Sequence, residues 1–533
     1  MGSISIDVAL LVGAVLALAL VLSVAQAFIG ARVGSDHPVH VFLIRGIRSN
    51  GYRLFVTVPH LLNVCHCAAI PLYLHWIVSH FRTRAVFWCE RLLNPIVNTL
   101  HVGLFAGMAS YAAFAVGLPW MFVGLATALF AMTPQFFHAL SARNFGLSSR
   151  GTGLLLLTLF YIAAFAVEAG ESPMASWLAL ALAGWLIWGF STFGQQALVI
   201  LSLLLFVLTG RFVPLLGALM GLTLFIVLHP RYSLSYLRHT LRFIRTYATE
   251  LAPIYILNRR ASIWRDLVWD IWIRFREGSK SAIHYAYENS ILVVLLLNPM
   301  VVLATWGSLG DGSPANPFLA YGSALSTCGL IAFVLTSFRF TRFLGEPERY
   351  VEVVTPWAAL SASVLIYTQV GTVGLWVLLS CFLLTDVLQV FASKVLLKHV
   401  TGNEIGLNEI EKIVTSRFGQ GARFCSNNEQ FTKKLMHNEW SFAYYLAAGQ
   451  DYCGLKASDV FSKFPFLRRD SCEKIVQAYA INACLLDRKL YDTIFDSRPA
   501  ALRGMNVAWE SDRFRLIVLD WASATGTVAR NDE

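Results

Sequence analysis

Long apolar runs separated by short polar segments dominate the first 400 residues. A helix needs about 20 apolar residues to cross the roughly 30 Å hydrocarbon core of a bilayer. Segment 67–81 is shorter and carries Pro71, His75 and His80, which favours an interfacial or re-entrant helix. The pattern therefore predicts an all-α polytopic membrane bundle of about 11–12 transmembrane helices over 1–399, with runs at 7–28, 95–116, 118–133, 153–168, 174–190, 194–209, 212–228, 291–307, 318–336, 355–370 and 373–393.

The pattern changes near residue 400. The stretch "TGNEIGLNEIEKIVTSRFGQGARFC" is charged, and both helix and strand signals follow it. The segment "DRFRLIVLDW" near the end is typical of a buried strand. We expect residues 400–533 to form a small soluble α/β domain, whose role the sequence leaves open.

Composition supports a membrane protein. Hydrophobic residues make up 56% of the 533-residue chain and charged residues 14%, whereas soluble proteins carry about 25% charged residues. The first apolar run contains no Lys or Arg and is longer than a signal-peptide core, so we expect it to be a retained helix. Nine scattered cysteines do not fit a disulfide framework.

Basic residues concentrate on one side of the predicted bundle. With eleven spans, segments 31–92, 135–151, 230–290 and 338–353 and the tail share one face, which carries nearly every Lys and Arg. The positive-inside rule would place that face in the cytoplasm. If 67–81 spans, the first loop lies on the opposite face.

The first polar cluster is "SDHPVHVFLIRGIRSNGYRLF", directly after the first span. If a helix begins near Pro38, Asp36 lies at its start and His40 in its first turn, while Arg45 and Arg48 form a basic pair. An ionised acid beside cations can act as a base, and arginines suit phosphate. The alternative is an amphipathic helix lying among lipid headgroups.

Two further clusters combine arginines, acids and aromatic residues. Segment 230–290 places Arg238, Arg242 and Arg245 on one helical face, and it fits either headgroup anchoring or a cleft for an anionic lipid-linked substrate. The segment "RFTRFLGEPERY" either neutralises charges at the start of a helix or holds a phosphate. Asp386, late in the last run, is a membrane acid and hence a functional candidate.

These segments resemble the GT-C superfamily of integral-membrane glycosyltransferases. The acid-bearing loop after the first helix, followed by "IPLYLHWIVSHF", is similar to the opening of those enzymes, and "RFLGEPERYVEVVTPWAAL" is similar to their late arginine–tyrosine–proline helix start. The resemblance covers most of the membrane part, and the family also has members with a soluble tail.

The resemblance implies a reaction in which a sugar leaves a polyprenyl phosphate for a glycan or lipid acceptor. Asp36 matches the loop acid that serves as catalytic base or organises a metal. This loop carries one acid rather than an adjacent pair, so a divalent cation is possible but no metal site is assigned. The implied substrate-binding residues are His40, Arg45, Arg48, Arg259, Arg260, Arg342, Glu346, Glu348, Arg349 and Tyr350.

Two other functions fit the same residues. A transporter or flippase of a lipid-linked anionic glycan would use the arginines without a base, and a scaffold would use the tail to bind a partner. We expect membrane lipids, a lipid-linked donor and an acceptor as partners, and no nucleic acid. The expected location is a multi-pass plasma (bacterial inner) membrane, with the tail cytoplasmic by the charge rule and extracytoplasmic by the resemblance.

Overall fold

The structure is a computed structural model, and it describes residues 6–30, 37–54, 60–62, 71–139, 147–251, 254, 272–273, 276, 290–309, 316–338, 341, 344–444, 456–463, 466–487 and 506–518. The chain divides into two compact units. The membrane unit comprises Met1–Ser35, Pro71–Ser233 and Arg259–Leu396. The tail unit comprises Asp36–Ile70, Leu234–Asn258 and Leu397–Glu533. The predicted domain boundary at 399/400 remains a prediction. The tail unit contains the first loop as well as the C-terminal residues.

Apolar helices make up the membrane unit. Its described helices are α1 (Ile6–Gly30), α3 (Tyr73–Ser79), α4 (Thr83–Val116), α5 (Trp120–Ala131), α6 (Pro134–Ala139), α7 (Arg150–Glu168), α8 (Pro173–Phe190), α9 (Thr192–Thr209), α10 (Val213–Leu228), α12 (Ser290–Leu297), α13 (Pro299–Leu309), α14 (Pro317–Thr336), α15 (Glu348–Val370) and the first part of α16 (Thr372–Phe418). Within the described residues, seven helices are long and apolar enough to cross a membrane, and shorter apolar helices cover Ala9–Ala25, Trp120–Ala131 and Val213–Leu228.

Helix α3 lies in segment 67–81 and shows whether its described part can cross a bilayer. Its seven residues are about 10 Å long at 1.5 Å per residue, too short to cross a bilayer. Tyr73 is buried against the rings of Trp185, Phe190 and Phe225. The Leu72 N–H donates to the Tyr232 hydroxyl at 2.9 Å. The described part of the segment is therefore a short helix packed inside the membrane unit.

Helices α8 and α10 approach each other closely through glycine. A Cβ on Gly221 would lie 2.6 Å from the Trp185 backbone nitrogen and would also collide with Gly184. Gly217 and Gly221 are four residues apart on α10, the spacing at which small residues allow membrane helices to pack backbone to backbone. Glycine at 221 therefore sets the separation of the two helices.

The tail unit has a mixed sheet. Its strands are β1 (Arg423–Ser426), β2 (Ser441–Phe442), β3 (Phe461–Lys463), β4 (Phe466–Leu467), β5 (Ala483–Asp487), β6 (Asn506–Glu510) and β7 (Phe514–Val518). Five of them follow the order β2-β1-β5-β7-β6, parallel from β2 to β5 and antiparallel beyond, while β3 and β4 form a separate antiparallel pair. Its helices are α2 (His37–Ser49), most of α11 (Pro230–Thr246), the end of α16, α17 (Glu429–Leu435), α18 (Ala457–Val460) and α19 (Arg469–Ala478).

The first loop belongs to this sheet domain. Phe442 N–H donates to the His60 carbonyl at 2.9 Å, and Leu62 N–H donates to the Phe442 carbonyl at 2.8 Å, so residues 60–62 extend the sheet beyond β2. The ring of Phe42 on α2 meets Phe442 edge to face at 5.9 Å. Residues from three distant parts of the sequence thus build one core. The predicted fold class, a helical membrane bundle with a small C-terminal α/β domain, is confirmed.

We expect Gly221→Ala to lower the free energy of unfolding by about 1–3 kcal/mol, because the added methyl must separate α8 from α10. Thermal unfolding of the purified protein in detergent measures the change. The control is Gly107→Ala on α4, where no heavy atom lies within 4 Å of the added Cβ. Equal stability of the two variants would contradict the close packing of α8 and α10.

Candidate functional site

The predicted site residues fall into three groups. Asp36, Arg259, Arg260 and Arg342 lie outside the described residues. His40, Arg45 and Arg48 lie on α2 in the tail unit. Glu346, Glu348, Arg349 and Tyr350 lie at the start of α15 in the membrane unit.

Helix α2 has a buried apolar side and a polar side. Ile44 and Ile47 are buried, whereas Arg45 and Arg48 are partly exposed. The Arg45 guanidinium donates to the His437 carbonyl, which attaches α2 to the residues that follow α17. Burial lowers the pKa of Arg45 from its ordinary value, and the Glu439 carboxylate opposes that shift. The described part of α2 therefore packs against protein along its apolar side, and Arg45 has a structural contact.

The start of α15 is fixed by local contacts. Arg349 Nε donates to Glu346 Oε2 at 2.7 Å, and its guanidinium lies 5.5 Å from the centre of the Phe193 ring. The Tyr350 hydroxyl donates to the Leu344 carbonyl at 2.6 Å. Both side chains of the Arg349–Glu346 pair are about one-third exposed. A partly exposed pair of this kind is weak enough for a competing anion to displace the carboxylate.

A second ion pair lies one turn further into α15. Arg150, the first residue of α7, donates through its guanidinium to both carboxylate oxygens of Glu352, with Nε 3.1 Å from Oε2. The Glu352 side chain is 4% exposed and that of Arg150 is 15% exposed. Because each charge is removed from water, neither is stable without the other. This pair holds α7 to α15.

An amide network extends the polar region. Asn298 Nδ2 donates to Gln135 Oε1 at 2.8 Å and to Thr355 Oγ1 at 2.7 Å, and Gln135 Nε2 donates to the Glu348 carbonyl at 2.8 Å. Asn298 separates α12 from α13, where Pro299 supplies no backbone N–H. All four side chains are buried. The network joins α6, the α12–α13 junction and the start of α15.

Helix α4 carries a polar stripe that sequence reasoning missed. Asn94, Asn98 and His101 are buried and recur at helical spacing. His101 Nε2 lies 2.9 Å from Thr158 Oγ1 on α7. A Cβ on Gly151 would lie 3.3 Å from the side-chain oxygens of both asparagines. The spacing 94, 98 and 101 within an apolar run was the signal that could have revealed it.

The described charged side chains at the α15 start are two arginines and three glutamates. Arg150 and Arg349 face the carboxylates of Glu346 and Glu352, and Glu348 lies beside them with 7% exposure. Of the two arginines, Arg349 has the partner that solvent reaches. Arg349 is thus the more accessible of the two arginines, whereas Arg150 is held by a buried carboxylate.

Asp386 is buried in the membrane unit, with 5% of its surface exposed. Neither carboxylate oxygen has a hydrogen-bond partner among the described residues. Gln389, three residues further along α16, donates to the Pro134 carbonyl at 3.3 Å. Asp386 is thus a buried acid next to the α5–α6 junction, and its functional role remains a prediction.

No family model matches the sequence, and no curated protein shows significant similarity to it. Among solved structures, the oligosaccharyltransferase of Archaeoglobus fulgidus, crystallised with zinc and sulfate, aligns at a TM-score of 0.50 and 11% identity over 89% of this chain and 68% of that chain. AglB of the same organism, with an inhibitory peptide and a dolichol-phosphate, aligns at a TM-score of 0.43 and 12% identity over 95% of this chain and 74% of that chain.

ArnT from Cupriavidus metallidurans, bound to undecaprenyl phosphate, aligns at a TM-score of 0.41 and 14% identity over 95% of this chain and 97% of that chain. At such low identity the first alignment shows a shared fold. The chain therefore shares the fold of an oligosaccharyltransferase over 89% of its length, in agreement with the resemblance seen in its sequence.

We expect Glu352→Gln to lower the free energy of unfolding by about 3–5 kcal/mol, because it leaves the Arg150 guanidinium buried without a counter-charge. The double variant Arg150→Met/Glu352→Gln should recover most of that loss. Denaturation in detergent measures both. Arg515→Met, which breaks the more exposed Arg515–Glu510 pair, is the control and should cost about 0–1 kcal/mol. A double variant less stable than Glu352→Gln alone would contradict this assignment.

Proposed function

We propose that this protein is a GT-C-type membrane glycosyltransferase. It moves a sugar from a polyprenyl-phosphate donor to a glycan or lipid acceptor in the assembly of cell-envelope polysaccharide or glycolipid. The observation that carries the proposal is the fold shared with an oligosaccharyltransferase over 89% of the chain. The acid that follows the first membrane helix in this sequence supports it.

The proposed step is a displacement at the anomeric carbon. The acceptor hydroxyl oxygen forms a bond to that carbon while the bond from the carbon to the phosphate oxygen breaks. The hydroxyl proton passes to the Asp36 carboxylate, and the electron pair of the broken bond stays on the departing polyprenyl phosphate. Charge grows on the phosphate in the transition state, where positioned arginines stabilise it most.

Arg349 is the described arginine best placed for that role. Its contact with Glu346 is partly exposed, so a phosphate can compete for the guanidinium, while the Phe193 ring supports the side chain from one side. The proposed binding set also contains three further arginines, Arg342, Arg259 and Arg260. It includes three residues of α2, namely His40, Arg45 and Arg48. Beside Arg349 it includes Glu346, Glu348 and Tyr350. A divalent cation near Asp36 and His40 stays open in this proposal.

The proposed active face is extracytoplasmic. With the eleven predicted spans, the first loop and the tail would lie on the same face, opposite the N-terminus. Basic loops on that face would then contact the phosphates of lipid-linked substrates, which explains a charge distribution that the positive-inside rule would place in the cytoplasm. The membrane is proposed to be a bacterial inner membrane.

We expect Asp36→Asn to reduce the rate of sugar transfer by about 100-fold or more, because the amide cannot accept the hydroxyl proton. The assay follows transfer of a labelled sugar from a polyprenyl phosphate by the purified protein in lipid vesicles. Asp512→Asn, the same chemical change at an exposed position between β6 and β7, is the control and should leave the rate unchanged.

Full transfer by Asp36→Asn would remove Asp36 as the base. Absence of transfer by the unmodified protein, together with movement of the intact lipid-linked glycan across the vesicle membrane, would replace the transferase by a flippase. Both results concern the reaction alone and leave the fold unchanged.

A further inference from the structure

Three cysteines meet inside the tail unit. Cys425 lies on β1, Cys484 on its parallel neighbour β5, and Cys472 on α19. The Sγ atoms of Cys425 and Cys484 are 3.5 Å apart, those of Cys472 and Cys484 are 3.8 Å apart, and all three lie within 4.8 Å of one another. None of the three residues is more than 6% exposed.

These separations match a shared metal ion. Three thiolates bound at about 2.3 Å to one ion lie about 3.8 Å apart in tetrahedral geometry and about 4.0 Å apart in a trigonal plane. The two Sγ–Sγ distances, 3.5 and 3.8 Å, lie slightly below the trigonal value, and the sulfurs come from three different elements of one buried core. The side chains therefore need only small adjustments to bind one ion, and such preorganisation favours affinity.

We propose that Cys425, Cys472 and Cys484 form a binding site for a single Cu(I) ion, a property separate from the proposed sugar transfer. Sulfur ligands select soft cations such as Cu(I) and Zn²⁺. Zn²⁺ almost always takes four ligands, whereas Cu(I) accepts three thiolates alone. In the described part of the chain, no His, Asp or Glu joins this group of ligand atoms, which favours Cu(I).

The surroundings of the site set its chemistry. The side chains around it are apolar and include Leu251, Val460 and Ile475. Thiols bind metal ions as thiolates, so Cu(I) releases protons as it binds and its affinity falls as the pH falls. Thiolates bound to the ion are also less available to form disulfides with one another.

The test uses the full chain in detergent with the six other cysteines (Cys65, Cys67, Cys89, Cys328, Cys381 and Cys453) replaced by alanine. Under reducing, oxygen-free conditions it is titrated with Cu(I) against bicinchoninate as competing ligand. We expect one Cu(I) per chain and a higher unfolding temperature with Cu(I) than without. A further Cys472→Ala change should weaken binding by more than the roughly 10–100-fold typical of an outer-shell substitution.

Three results would overturn the proposal. The first is Cu(I) binding no tighter than that of a chain with all nine cysteines replaced. The second is tighter binding of Zn²⁺ than of Cu(I), measured with the same protein. The third is an intact mass two hydrogens lower in the protein purified without reductant, which would show that two of the sulfurs form a disulfide. If the Cys472→Ala variant does not fold, the comparison of unfolding temperatures with and without Cu(I) in the six-alanine protein still tests the proposal.

Discussion

A charge removed from water is stable only beside a partner, and the Arg150–Glu352 ion pair meets that requirement where α7 meets α15. Removing either side chain leaves the other buried and charged, at a cost of several kcal/mol. The pair joins the first turn of α7 to the second turn of α15. The contacts of Gln135, Asn298 and Arg349 all lie within one or two turns of it along α15. These contacts together fix the position of the start of α15 within the membrane unit.

The two arginines near the start of α15 differ in how exposed their ion pairs are. Arg150 is buried and satisfied by both carboxylate oxygens of Glu352, whereas Arg349 shares a partly exposed contact with Glu346. An ion pair contributes less to stability, and costs less to separate, where water reaches it. The Arg349–Glu346 pair is therefore the easier of the two to separate, a distinction that residue types alone do not provide.

The sequence predicted the helices well because crossing hydrocarbon demands long apolar runs. It placed the start of the second long helix twelve residues late, since "TRAVFWCERLLN" mixes charges into the first turns of α4, which begins at Thr83. It also missed that α16 continues to Phe418, because its later turns are polar. The sequence pattern could not predict contacts between residues far apart in the chain. Leu61 pairs with Phe442, and Cys484 lies beside Cys425, 59 residues away, and Cys472, 12 residues away.

The candidate site was predicted in part for the same reason. Residues close in sequence, such as Glu346 and Arg349, could be grouped from their spacing, and their contact is present. Partners such as Arg150 and Glu352, 202 residues apart, could not. Likewise, nothing in the spacing of Asp36, His40 and Arg45 indicates that the first loop groups with the C-terminal residues in one unit.

The central claim, sugar transfer at the outer face, is tested most directly by locating the end of the chain. Alkaline phosphatase and a green fluorescent protein are fused in turn after Glu533 and expressed in a bacterium. Phosphatase is active only outside the cytoplasm, and the fluorescent protein exported through the general secretion pathway stays dark. We expect an active phosphatase fusion and a dark fluorescent one. A fluorescent fusion with inactive phosphatase would place the tail in the cytoplasm and contradict an extracytoplasmic reaction with a polyprenyl-phosphate donor.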